Sequence, residues 1–168
     1  ISLMGINDAQ PLAAHTTPAE ARSDGLPTGI GRVGDLDEPI PVRDLARRLA
    51  SELPRTTTGV RIAGDPAAMV TRVAVCGGAG DSLFDEVRAS GADVYVTADL
   101  RHHPATEALD TANRRESGLS LIDVSHWASE TVWLNAAAEA LETEFARRGF
   151  TVSLQHSAAN TDPWVERY

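Results

Sequence analysis

The chain has 168 residues, 42% of them apolar and 23% charged, enough for one well-cored domain and too few for two. No apolar run approaches the ~20 residues that span a bilayer, and a formal charge of −9 sets the bulk field against nucleic acid and anionic membranes. All 15 basic residues are arginine, which excludes a lysine Schiff base or a P-loop lysine within this chain, and the single cysteine excludes an internal disulfide and a cysteine-only metal site. A cytoplasmic location is the expectation.

Residues 1–38 read as a linker, with 39–168 as the α/β domain. Positions 1–12 suggest the tail of a helix and a turn. Residues 15–31 are rich in Pro, Gly, Ser and Thr without periodicity, and His15 within them reads as a surface residue. So little structure at the start leads to the expectation that preceding sequence is missing.

From Pro41 the pattern firms. Val42, Leu45, Leu49 and Leu53 recur at helical spacing, and Pro54 ends the helix. Residues 58–63 alternate as a strand, Gly64-Asp-Pro66 is a turn, and the β-branched run 70–76, ending at Cys76, is a buried strand. Gly77-Gly-Ala-Gly-Asp-Ser82 then leads into a helix closed by Gly91. Strand, glycine-rich turn and helix is an arrangement in which backbone N–H groups can hold an anion. The same glycines also suit a tight turn needed for backbone reasons alone. Both readings stand for Gly77, Gly78, Gly80 and Ser82. Neither a dinucleotide fingerprint nor a Walker A pattern is present.

Further on, ADVYVT (92–97) is a strand, a helix runs from about Pro104 to Asn113, and LSLIDV (119–124) is the next strand. Residues 127–148 read as one long helix with apolar positions Val132, Leu134, Ala138, Leu141 and Phe145, capped by Gly149. A last strand is expected at 150–154, followed by a turn at Asn160-Thr-Asp-Pro-Trp164 whose tryptophan packs. Alternating strands and helices predict an α/β layered sandwich of a mixed sheet with helices. Ligands in such folds sit beyond the carboxyl ends of the strands. Three polar clusters follow strands here: the glycine segment, residues 99–103 and residues 123–130.

The last cluster places His126 and Glu130 four apart at a helix start, with Ser125 as N-cap. Side chains at that spacing share a helix face and can converge on one divalent ion of zinc, iron, manganese or nickel. The bland alternative is a partly exposed histidine and a solvated glutamate. His102 and His103, being adjacent, diverge; each could be a metal ligand, an acid/base or a phosphate contact. Asp99 is a partner fixing a histidine tautomer or an N-cap, and His156 reads as structural. Two ligands are fewer than a catalytic metal usually takes.

VAVCGGAGDSL (73–83), ADVYVTADLRHHP (92–104), DVSHWASE (123–130) and NTDP (160–163) resemble, in order, the C-terminal half of the Nif-three-like family, whose members often carry the name GTP cyclohydrolase one type two. LMGINDAQPL (3–12) and GIGRVG (29–34) resemble the segment joining that family's halves. The resemblance runs from about Leu3 to Trp164. It implies one half of a duplicated two-domain fold, two divalent ions per complete site held between the halves, and a ring of six subunits. His126 and Glu130 match the metal ligands of this half, with Ser129 where threonine is usual. The remaining ligands belong to an N-terminal half that nothing in this chain matches, so that half is the implied partner. His103 matches a cleft-lining histidine, and a proton-shuttling role follows if the protein is a metal-dependent hydrolase of nucleotides or phosphate compounds. The alternative is a non-enzymatic metal-handling or scaffold protein.

Overall fold

The computed structural model describes residues 2–14, 27–114 and 118–168. His15 lies outside the described residues. Among the described residues, eight strands and five α-helices follow in the order β1 (Ile6–Gln10), β2 (Ala13–Ala14), β3 (Gly29–Ile30), β4 (Arg32–Pro41), α1 (Val42–Glu52), β5 (Arg61–Ala63), β6 (Met69–Ala79), α2 (Phe84–Ser90), β7 (Val94–Ala98), α3 (His102–Arg114), β8 (Ser120–Val124), α4 (His126–Thr131) and α5 (Trp133–Arg147). Six strands form a mixed sheet in the order β1-β4-β6-β7-β8-β5. β6, β7 and β8 run parallel, while β1, β4 and β5 are antiparallel to their neighbours.

Strand periodicity sorts the core into two layers. Val94, Val96 and Ala98 of β7, with Ile122 and Val124 of β8, face α1, where Val42, Leu45 and Leu49 are buried against them. The alternate residues Tyr95 and Leu121 face the other way, onto Phe84 and Val87 of α2 and Ala108 and Ala112 of α3. Successive side chains on a strand point to opposite faces, so an all-apolar strand is buried on both. The result is a helix–sheet–helix sandwich, as the alternation of elements predicts.

Several local expectations are corrected. Residues 1–38 are not short of structure: Ser2–Met4 is a 3-10 turn, and β1 and β4 are strands of the main sheet, so the expected 38/39 boundary falls inside β4. β4 carries RVGDLDEPIP, whose acidic residues face solvent while Val33, Gly34 and Leu36 are buried, and that mixture hides a strand. β6 runs through Ala79, so Gly77 to Ala79 is strand and not turn. The strand expected over 58–63 shortens to β5. The long helix breaks at Val132 into α4 and α5. No strand forms at 150–154, because no neighbouring strand offers its backbone groups a partner; residues 150–168 carry no regular structure.

Candidate metal and substrate cleft

Parallel register brings the site together. Ala98 at the end of β7 lies opposite Val124 at the end of β8, and Ala79 at the end of β6 lies opposite Ala98. The next residues on each chain therefore emerge side by side: Asp99 after β7, and Ser125 and His126 after β8. Asp99 takes a left-handed backbone (φ 54°), a conformation aspartate tolerates better than most residues. Ser125 caps α4 as expected, accepting the Ala128 N–H at 3.3 Å, and its hydroxyl also donates to Asp162 of the C-terminal tail.

His126 stands between two carboxylates. Its Nδ1 is 2.7 Å from Asp99 Oδ2 and its Nε2 is 3.3 Å from Glu130 Oε1. The hydrogen bond to Asp99, aided by the charge of Glu130, raises the imidazole pKa against the modest opposing effect of burial. Of the two readings of Asp99, the structure thus favours the partner of a histidine nitrogen. Ser129 donates to the His126 carbonyl at 2.8 Å and accepts the Gly78 N–H at 2.8 Å, tying α4 to the end of β6.

Asp99, Ser125, His126 and Glu130 line a cleft of about 1060 Å³. Asp123, almost fully buried, accepts from Arg61 Nε at 3.0 Å, from Arg61 Nη2 and from the Leu100 N–H at 3.0 Å. An aspartate closing a buried β-branched run needs such partners; the run SLIDV signals that need, but not that Arg61, 62 residues away, meets it. Trp127, Trp133 and Trp164, all three tryptophans of the chain, line the same cleft. Trp164 packs less than its sequence setting suggests, remaining 66% exposed.

The other candidate residues are dispersed. Gly78 adjoins His126 and Glu130, whereas Gly80 is enclosed by Tyr95 and Thr97, with its carbonyl accepting the Tyr95 hydroxyl at 2.9 Å. Gly77 faces the Ser129 carbonyl, and Ser82 lies exposed in the 3-10 turn Asp81–Leu83. His103 is exposed in the first turn of α3, edge-on to His102, and is absent from the cleft lining. His156 is exposed in the tail. The Cys76 thiol is half-buried and its pKa is raised, by burial first, which fits a packing role. Among the described residues no group of three or more His, Cys, Asp or Glu is gathered in a way that could hold a metal ion.

Known proteins share this sequence pattern and fold. The Duf34/NIF3 (NGG1p interacting factor 3) family model matches residues 1–163. A GTP cyclohydrolase 1 type 2 homolog of Streptomyces coelicolor is 45% identical over 162 residues, covering 96% of this chain and 53% of that protein. A homolog of the same name from Mycobacterium bovis is 51% identical over 137 residues, covering 82% of this chain and 34% of its own length. The crystal structure of a Bacillus cereus protein related to NIF3 superposes with a TM-score of 0.73 at 28% identity, over 85% of this chain and 37% of that one. The chain spans about half the length, or less, of the curated relatives it matches. With its mixed sheet and its ordered motifs accounted for by that match, the chain belongs to the Duf34/NIF3 family.

Proposed function

We propose that this chain works as the C-terminal half of a divalent-metal protein that hydrolyses nucleotides or related phosphate compounds. One observation carries the metal reading. If Nδ1–H of His126 is given to Asp99, Nε2 presents a lone pair to the Glu130 carboxylate only 3.3 Å away. Two acceptors so placed call for a shared proton or a cation, and an imidazole with a carboxylate suits zinc, iron, manganese or nickel. His126 and Glu130 would hold the ion, and Asp99 would fix the imidazole tautomer. The remaining ligands, and the second of two ions, would come from the N-terminal half that the family resemblance implies, with hexamer formation as the assembly. A bound divalent ion would supply a water acidic enough to attack at neutral pH.

The cleft supports a substrate that is planar and anionic. Indole faces can stack on a heterocycle. Arg61, held by Asp123 through Nε and Nη2, leaves its remaining nitrogen for a phosphate or carboxylate. Within the glycine segment, phosphate contact is proposed for the exposed Ser82 alone, since the Gly78 amide is committed to Ser129 and Gly80 is enclosed by Tyr95 and Thr97. His103, at the same end of the sheet, is proposed to move protons in the complete site.

The test is metal content followed by turnover in the full-length polypeptide. Wild type is expected to retain divalent metal through gel filtration, and His126→Ala and Glu130→Gln to lose most of it. Turnover of GTP or a simple phosphoester supports the hydrolase. Metal without turnover favours metal handling, and metal unchanged in His126→Ala removes the site assignment.

A further inference from the structure

Gly78 sits where a strand meets the two proposed ligands. Its φ of 72° is left-handed within β6, where the pairing with β7 shifts between Val75 and Ala79. Such an irregularity bends a strand and re-aims what it carries. The bend is fastened on both sides. The Gly78 N–H donates to Ser129 Oγ at 2.8 Å, and the Gly78 carbonyl accepts the buried Thr97 hydroxyl at 3.0 Å. Two residues on, just past the end of β6, the Gly80 carbonyl accepts from Tyr95. Ser129 in turn holds the His126 carbonyl, so the bulge and the first turn of α4 are clamped through one hydroxyl.

A side chain at position 78 would displace the tip of Glu130 and crowd the His126 ring. A Cβ there would lie 2.7 Å from Glu130 Oε1 and 3.1 Å from His126 Nε2, the two atoms proposed to hold the ion. At Gly77, by contrast, an added Cβ would meet only the Ser129 carbonyl, at 3.6 Å, an ordinary contact.

We propose that the Gly78 bulge is the floor of the cation site. It is a positioning element whose bare backbone sets the space between His126 Nε2 and Glu130 Oε1, with Ser129 as its clamp. This rests on the metal reading of that pair. It gives the glycine segment a role distinct from phosphate binding, and it explains why a hydroxyl residue follows Ala128 on α4.

The experiment is competition titration of Zn²⁺ against a chromophoric chelator in the full-length protein, with circular dichroism and thermal melting run alongside. Gly78→Ala is expected to weaken Zn²⁺ binding by about 100-fold and Ser129→Ala by about 10-fold, the range found when groups supporting metal ligands are removed. Ser129→Thr, which keeps the hydroxyl, and Gly77→Ala should bind as wild type. If Gly78→Ala does not fold, the contrast between Ser129→Ala and Ser129→Thr decides the matter. Wild type that binds no Zn²⁺ overturns the metal reading itself. Wild type that binds, with Gly78→Ala and Ser129→Ala binding equally well, overturns the floor while leaving the metal reading intact. Equal losses in Gly77→Ala and Gly78→Ala would also overturn it, since the specific approach of position 78 would then be irrelevant.

Discussion

α1 and α5 carry similar apolar spacing and have opposite fates. α1 buries Val42, Leu45, Ala46 and Leu49 against the sheet. α5 buries nothing, leaving Trp133 61% and Leu141 48% exposed. Its last turn is held at the surface by Glu144, which accepts from Arg147 and Arg148 and whose carboxyl pKa is thereby lowered to about 2. Exposed pairs of this kind add little to stability. Apolar periodicity therefore predicts the helix and the side it would bury. Whether that side is buried depends on a partner, and among the described residues the apolar stripe of α5 is only partly covered, with Phe145 edge-on to Phe150. α4, with Ser125 capping it and only Ala128 buried, lies between the two.

That ranking can be broken by mutation. Leu45→Ala removes a fully buried side chain and should cost about 3 kcal/mol, read from urea denaturation. Ser125→Ala removes the α4 cap and should cost about 1 kcal/mol in the same assay; a loss as large as that of Leu45→Ala would place α4 in the core. Asp99→Asn acts on protonation. Before metal is added, the wild-type His126 imidazole should titrate above the usual histidine range, and the variant's midpoint should fall, as followed by NMR. The sign follows from linkage: a raised pKa stabilises the fold below the ordinary histidine pKa, and the benefit disappears as pH rises through the raised value. An unchanged midpoint would deny Asp99 its role. Leu141→Ala should stay within about 0.5 kcal/mol of wild type; a larger loss would mean that α5 is covered after all.

The sequence was most informative where one physical signal dominates. β7 and β8 are legible because every residue is buried and nearly all are apolar or β-branched. α1 is legible from its period, and the His126–Glu130 pair from helix geometry. β4 is not legible because its buried and acidic residues cancel in composition. FTVSL at 150–154 misled in the opposite direction, since β propensity without a neighbouring strand leaves backbone groups unpaired. The Asp99–His126 contact joins residues 27 apart and becomes visible only through the parallel register of β7 and β8. The glycine segment points to small residues, and only the fold shows that Gly78 combines a left-handed φ with the proximity of His126 and Glu130.

Because every tryptophan of the chain borders the same cleft, the indole emission of this protein is a spectroscopic signal from one place. Unfolding of the distant α1 face would reach that signal only through the cooperativity of the whole domain. On the metal reading proposed above, Ni²⁺ seated beside Trp127 would quench it through its d–d absorption, whereas closed-shell Zn²⁺ would leave the yield nearly intact. The tryptophans would then report metal loading without a label.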